Sequence, residues 1–278
     1  YYSYYHLDSA RAKGYTGAGV TIAIIDGPVD TSIPELAGAN ITDKSPCAVT
    51  SSSAHISHGT TVASLLVSDA YGMVPDATLL AYQRTDDASY VGADCPMKAG
   101  ILPTEVSSLI NKAIDDGASI INYSATSPSP SEYLKWAIAR AMSQGVIITT
   151  GAGNTSSDNT GSSLSQWSGV VGVSAIGTDG KFASYSSWGQ GVTFLLGAGS
   201  HHGCCRGPVI ARDADGKISS TQGTSFRLLL SRAFSRRRVP SGPTRHHISF
   251  SSFSSTLRAH LRAVETSTSG TDQLTPEK

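Results

Sequence analysis

Five apolar, β-branched runs with helical patterns between them constrain this chain more than any other feature. Val20-Thr21-Ile22-Ala23-Ile24-Ile25 is the first, and residues 78–82, 119–123, 146–150 and 170–175 repeat the pattern. A strand is apolar along its whole length only where both of its faces are covered, which is the condition inside a parallel sheet. Between the runs, Ser107, Leu109, Ile110 and Ala113 follow Thr104 at helical spacing, and Gly117 ends that pattern. Ser131 caps a second helix, with Leu134, Ala137, Ile138 and Met142 on one face and Gly145 as its stop. A third is predicted from His58 to Val67, with Val62, Leu65 and Leu66 as its apolar stripe. The predicted fold is α/β: a doubly wound, mostly parallel sheet with helices on both faces. Active sites of such sheets gather at the carboxyl ends of the strands. Asp26, Ser124 and Asn154 each stand at or just past such an end.

Composition narrows the function. The 278 residues carry 21 basic and 21 acidic side chains, a balance that argues against a nucleic-acid partner. No stretch reaches the roughly 20 apolar residues of a membrane span. Sparse charge with abundant Gly, Ser and Thr suits a secreted, loop-rich globular protein, expected as a monomer. The chain opens Tyr1-Tyr2-Ser3-Tyr4-Tyr5 without Met or leader and reads as a processed form or fragment. Four cysteines allow three full pairings. Cys47 and Cys95 flank the His58 region, and a bridge between them would imply an oxidising compartment. Adjacent Cys204 and Cys205 are poor partners for each other. The run His201-His202-Gly203-Cys204-Cys205 matches no standard zinc spacing, so no metal is assigned.

Four short motifs carry chemistry, in chain order: Asp26 ending a strand, His58-Gly59-Thr60, Gly151-Ala152-Gly153-Asn154 and Gly223-Thr224-Ser225. A serine hydroxyl is a weak nucleophile unless an imidazole takes its proton. His58 is the candidate base, at the start of its helix. Asp26 would orient the imidazole and stabilise the imidazolium. Ser225 is the candidate nucleophile, and its own N–H with the Asn154 side chain would form an oxyanion hole. Each motif alone has an ordinary reading, since a strand-ending Asp is often a turn former and an Asn after glycines a turn residue. Together, in this order, they reinforce one another. His6, His55, His201 and His202 lack the strand-to-helix setting and are weaker candidates.

Further segments extend the pattern: Gly14 to Val20 leading into Asp26, His58-Gly59-Thr60-Thr61-Val62-Ala63, Ile121-Asn122-Tyr123-Ser124, Ser184-Tyr185-Ser186-Ser187-Trp188-Gly189 and Gly223-Thr224-Ser225-Phe226. From Tyr1 to Phe226 the chain resembles the subtilisin-like serine proteases. The resemblance implies a triad of Asp26, His58 and Ser225, Asn154 as oxyanion donor, and hydrolysis of protein or peptide substrates through an acyl-enzyme. It also implies that Ser124-Ala125-Thr126 pairs with substrate as an added strand. The chemistry requires no cofactor. The family often binds calcium, for which no ligand set is assignable here. A rival reading is a catalytically dead or damaged chain, either a pseudoprotease that binds peptides without turnover or a product that does not fold, and a second is an esterase.

The chain departs from the family in three places. Asp26-Gly27-Pro28-Val29-Asp30 replaces the usual Asp-Ser/Thr-Gly-Val-Asp, so a hydroxyl beside the carboxylate is lost. Leu196-Gly197-Ala198-Gly199 stands where Ala-Pro-Gly is usual. After Phe226, the text Arg227-Leu228-Leu229-Leu230-Ser231-Arg232-Ala233-Phe234 replaces the small-residue helix behind the nucleophile. With Arg read as CGN, Leu as CTN, Ser as TCN and Phe as TTY, one base restored after Phe226 gives a frame compatible with Phe-Ala-Ala-Pro-Ala-Val-Ala-Gly-Val-Leu. That is the family's expected text, so a base missing near codon 227 is expected in the encoding DNA. The Ser-, Arg- and Pro-rich text beyond buries too little apolar area to offset its ordering entropy. Residues 1–226 are therefore read as the peptidase domain, and 227–278 as an atypical, frameshifted and disordered tail.

Overall fold

The computed structural model describes residues 7–84, 90–91, 95, 101, 103–125, 131–158, 163–177, 181–197, 210–212, 218–220 and 224. The chain divides into two units, Tyr1–Arg236 and Arg237–Lys278, and the described residues all belong to the first.

Helix α1 (Leu7–Ala12) leads to β1 (Thr21–Asp26), a 3-10 turn (Pro34–Leu36), β2 (Ile41–Asp43) and β3 (Val49–Thr50). Then come α2 (Ser53–Val67), β4 (Thr78–Gln83), β5 (Tyr90–Val91), α3 (Val106–Asp115), β6 (Ile120–Tyr123), α4 (Glu132–Ser143) and β7 (Ile147–Gly151). A second 3-10 turn (Leu164–Gln166), β8 (Val170–Ile176), β9 (Val192–Gly197), β10 (Ile210–Arg212) and β11 (Ile218–Ser220) follow. The main sheet has seven strands in the order β2-β4-β1-β6-β7-β8-β9, and all of its pairings are parallel. The five apolar runs are β1, β4, β6, β7 and β8. The three-residue β2 and the six-residue β9, neither among the five runs, stand at the two edges of the sheet.

From β1 the chain first winds to one side, through β2 and β4, and then crosses to β6 on the other. The topological switch point is therefore at β1, the place where open α/β sheets bind ligands. Asp26 is the last residue of that strand.

Side-chain alternation along β1 separates two cores. Ile22 and Ile24 join Val62, Leu65 and Leu66 of α2, whereas Ala23 and Ile25 join Leu109 and Ile110 of α3 and Leu134 of α4. Asp26 continues the Ile22–Ile24 series, so the two-residue period of a strand aims its carboxylate at α2.

Helix α2 begins at Ser53, five residues earlier than its apolar stripe suggested, so His58 lies more than a turn inside it rather than at its start. The reason is a cap: the Ser52 hydroxyl accepts from the His55 N–H, and short polar text before His58 continues the helix. From Gly59 to Val67 every residue of α2 is buried, including Thr60, Thr61 and Ser64. Their hydroxyls are satisfied locally: Thr61 donates to the Ser57 carbonyl, Ser64 donates to the Thr60 carbonyl, and Thr60 accepts from the Asp30 N–H. The other end of α2 is held by Arg11 of α1, whose guanidinium reaches the carbonyls of Ser68, Asp69 and Gly72. A cation at a helix C-terminus also complements the helix dipole.

The predicted capping of α4 is present, with the Ser131 hydroxyl accepting from the Leu134 N–H. Gly117 and Gly145 end α3 and α4 in the left-handed conformation, at φ 86° and 71°. Helix α3 starts at Val106, and Thr104 lies just before it, buried.

Candidate active site

His58 precedes Val62 by four residues and Leu65 by seven, so it occupies the same face of α2 as the apolar stripe and points at the sheet. Asp26 approaches it from the end of β1. Nδ1 of His58 lies 2.7 Å from Oδ1 of Asp26. The same oxygen accepts the N–H of Gly27 at 2.7 Å. The Asp26 side chain is 4% exposed and that of His58 30%, so the carboxylate is sealed while the imidazole is reachable from solvent. Holding Nδ1–H against the carboxylate leaves Nε2 as the ring nitrogen able to accept a proton.

The electrostatics of His58 reflect three competing influences. Burial pulls its pKa down, the charge and hydrogen bond of Asp26 push it up, and the cation of Arg84 pulls it down again. Asp26 prevails, and the imidazole titrates above its ordinary value. Oδ2 of Asp26 is buried with no hydrogen-bond partner among the described residues. The family's hydroxyl at the next position is absent, and the surroundings show why. A Cβ on Gly27 would lie 2.2 Å from the carbonyl oxygen of His55. A Cβ on Gly59 would lie 2.3 Å from the carbonyl oxygen of Gly27. The turn after β1 and the first two turns of α2 thus touch backbone to backbone, through two glycines.

Asn154 follows β7 in a turn where Gly153 adopts φ 113°. Its Oδ1 accepts from both the N–H of Thr224 (3.0 Å) and the Thr224 hydroxyl (3.2 Å). A backbone N–H can only donate, so the amide oxygen faces Thr224 and Nδ2 is turned away from it. Thr224 is 1% exposed and packs on Gly151, where a Cβ would sit 2.5 Å from its hydroxyl. Ser225 is the next residue and lies outside the described residues, as do Gly223 and Thr126.

The turn bearing Asn154 is braced by the Ser184–Gly189 segment. Ser187 donates its N–H to the Gly153 carbonyl at 2.9 Å, and its hydroxyl accepts from the Thr155 N–H at 3.2 Å. Ser124 directly follows β6 and is buried, and its hydroxyl accepts from the Asn122 amide at 2.5 Å. Asn122 is tied in turn to β7 by the hydroxyl of Thr149. Ala125 packs partly buried against the α3–α4 core.

Ser187 and Asn122 lie in segments that the sequence pattern singled out, whereas two contributors to this site, the His55 carbonyl and Arg84, had no distinctive signal in the sequence. Arg84 comes just after β4 and donates its N–H to the Asp26 carbonyl at 3.0 Å. A lone arginine after a strand is ordinary text. Cys47 and Cys95 form a disulfide, beside the β3–β5 pairing. Cys204, Cys205 and their neighbouring histidines lie outside the described residues. Among the described residues no group of three His, Cys, Asp or Glu side chains assembles a metal site.

The sequence profile of the Subtilase family matches residues 17–234. Subtilisin E of Bacillus subtilis (strain 168) is 29% identical over 191 residues, covering 65% of this chain and 47% of that protein. Fervidolysin of Fervidobacterium pennivorans is 31% identical over 197 residues, covering 64% of this chain and 27% of that protein. The chain thus spans about half, or less, of the length of these relatives. Among solved structures, the self-cleaved protease domain of PatA superposes with a TM-score of 0.60 at 23% identity, covering 77% of this chain and 77% of that one. A PatG macrocyclase in complex with peptide gives 0.63 at 18%, covering 80% and 76%. These likenesses show the fold, and the family match over most of the chain shows more: this chain belongs to the subtilase family.

Proposed function

We propose that the chain is a secreted serine endopeptidase acting through Asp26, His58 and Ser225, with residues 1–226 as its peptidase domain and 227–278 as an atypical Arg- and Ser-rich tail. The 2.7 Å contact between Nδ1 of His58 and Oδ1 of Asp26, at the switch point of a subtilase sheet, carries this reading.

The steps follow from the roles. The Ser225 hydroxyl adds to the scissile carbonyl carbon while Nε2 of His58 takes its proton. Asp26 holds the imidazole orientation and stabilises the imidazolium. The negative charge that develops on the carbonyl oxygen is met by Nδ2 of Asn154 and the N–H of Ser225. His58 then returns the proton to the departing amine, leaving an acyl-serine. Water, deprotonated by His58, releases the acid and restores the serine. The Asn154–Thr224 bonds support this arrangement, because they orient the amide so that Nδ2 is available for the oxyanion. Ser124, Ala125 and Thr126, which follow β6 in the chain, are assigned to main-chain pairing with a peptide substrate, and no cofactor enters any step. The Cys47–Cys95 bridge supports an extracytoplasmic location.

Turnover of internally quenched peptides and of simple esters tests the reading. Peptide cleavage that disappears in Ser225→Ala, with peptide binding retained, is the expected result. Hydrolysis unchanged by that substitution overturns it, and ester turnover without peptide turnover replaces it with an esterase.

A further inference from the structure

Asn154 stands in an exposed turn, whereas a group that meets a developing charge has to be held in place before the charge appears. Its own burial does not supply that precision, and its bonds to Thr224 secure only the amide end. The backbone on both sides of it is secured by one residue, Ser187, which is 1% exposed. Ser187 donates its N–H to the carbonyl of Gly153 at 2.9 Å, and its hydroxyl accepts the N–H of Thr155 at 3.2 Å. The same hydroxyl lies 3.0 Å from that of Thr155. Ser187 thus grips the residue before Asn154 and the residue after it.

Ser187 is in turn fastened to the main sheet. Its carbonyl accepts the hydroxyl of Ser174, a fully buried residue of β8, at 2.7 Å, and that of Ser186 at 3.2 Å. The Ser186 hydroxyl accepts the Ala175 N–H from the same strand at 2.9 Å. Past Asn154, the Ser156 N–H donates to the Tyr185 carbonyl and the Trp188 N–H to the Ser157 carbonyl, so the turn and the segment run side by side. The fit is close at Gly153, whose φ of 113° suits glycine and where a Cβ would come 3.1 Å from the Ser187 hydroxyl. Water competes little for bonds this deeply buried, so they define position as well as energy.

We propose that Ser187 is a positioning residue for Asn154: it carries the rigidity of β8 to both sides of an exposed turn and so sets where the Asn154 amide is presented. The catalytic consequence rests on the peptidase reading above, whereas the effect on the turn does not. A serine that merely supports the fold slows the reaction on removal whether or not Asn154 is present. A positioning serine acts only through Asn154, so the two substitutions are not additive.

The test uses the full chain. Amide hydrogen exchange of the parent comes first: the Thr155 N–H is expected to exchange slowly although its residue is exposed, and free exchange there overturns the proposal without any variant. Ser187→Ala removes the hydroxyl, and Ser187→Cys keeps a side chain in its place with only a weak acceptor, should the smaller residue loosen the fold. In the folded variant, exchange at Thr155 and Thr224 is expected to quicken about tenfold, the equivalent of one net hydrogen bond. Asn154→Ala marks the fully released rate at Thr224. For an internally quenched peptide, kcat is expected to fall about tenfold with KM unchanged, short of the ~10²–10³ lost with an oxyanion donor itself. In Asn154→Ala the same Ser187 substitution should lower kcat no further. Unchanged exchange at Thr224 in the folded variant, or an equal loss of kcat with and without Asn154, overturns the proposal. Faster exchange in a chain whose parent lacks turnover would uphold the hold of Ser187 on the turn and contradict the peptidase reading alone.

Discussion

Gly27 and His55 meet without an intervening side chain: the carbonyl oxygen of His55 lies 2.2 Å from where a Cβ on residue 27 would stand. One close approach thereby links the strand that carries Asp26 to the helix that carries His58. It also gives a physical reason for the missing hydroxyl, because in this chain the backbone of α2 fills that place.

Gly27→Ser is therefore expected to harm rather than restore the family pattern. The backbone must part to admit the side chain, at a cost of about 1–3 kcal/mol, typical of overpacking. Displacement of Asp26 from His58 should lower activity as well. Thermal unfolding and peptide turnover measured on the same preparation check both effects. A variant as stable and active as the parent would show that α2 can yield at His55.

The pH dependence follows from His58. Its folded pKa is raised above the ordinary 6.5 by Asp26, against burial and Arg84. The pairing therefore contributes stability that is fully present below about pH 6.5 and is lost as pH rises through the folded value. Catalysis needs the neutral base, so activity should gain where this contribution fades. Chemical unfolding across that range should show stability falling with pH in the parent, and His58→Gln should remove this component of the slope. Asp26→Asn should lower kcat by about 10⁴, the loss seen where a triad histidine loses its orienting carboxylate.

The proposed mechanism gives Asn154 two separable duties. Its Oδ1 holds Thr224, and its Nδ2 is assigned to the oxyanion. Asn154→Ala removes both and should cost about 1–3 kcal/mol of stability for the stranded Thr224 N–H, along with rate. Asn154→Asp keeps the acceptor and loses the donor. It should retain most of the stability while kcat falls about 10²–10³-fold, as for loss of an oxyanion-hole donor. Equal destabilisation by the two variants would contradict this division.

The Cys47–Cys95 bridge spans 48 residues that include β3, α2 and His58. Closing a loop of that length is worth about 4 kcal/mol in unfolded-chain entropy. Reduction, or the Cys47→Ser, Cys95→Ser double variant, should lower Tm accordingly in calorimetry. An unchanged Tm after confirmed reduction would show that the β3–β5 segment is held by other contacts.

Much of the framework was legible in the text because it rests on local rules. Buried parallel strands declare themselves as unbroken apolar runs, and Ser131, Gly117 and Gly145 punctuate helices by their own chemistry. The Asp26–His58 pairing was legible from motif order and from the end of the apolar strand that Asp26 occupies. The start of α2 was not, since residues 53–57 carry no apolar period and owe their helix to the Ser52 cap and to packing. Edge strand β2 was not, because its three residues, Ile41-Thr42-Asp43, are too few to show a period. Arg84, the His55 carbonyl and the Thr224 clamp depend on which loops meet in space, and no local pattern encodes that. The tail reading concerns residues 227–278, outside the described residues, and resequencing of the encoding DNA around codon 227 addresses it directly.

The most direct measurement is reaction of the full chain with a fluorophosphonate probe, located by peptide mass spectrometry, with Ser225→Ala and His58→Ala as controls. Stoichiometric modification at Ser225, absent from the first control and strongly slowed in the second, is the predicted result. A folded parent chain that stays unmodified, or modification that persists in Ser225→Ala, would contradict the assignment of Asp26, His58 and Ser225 as one catalytic unit.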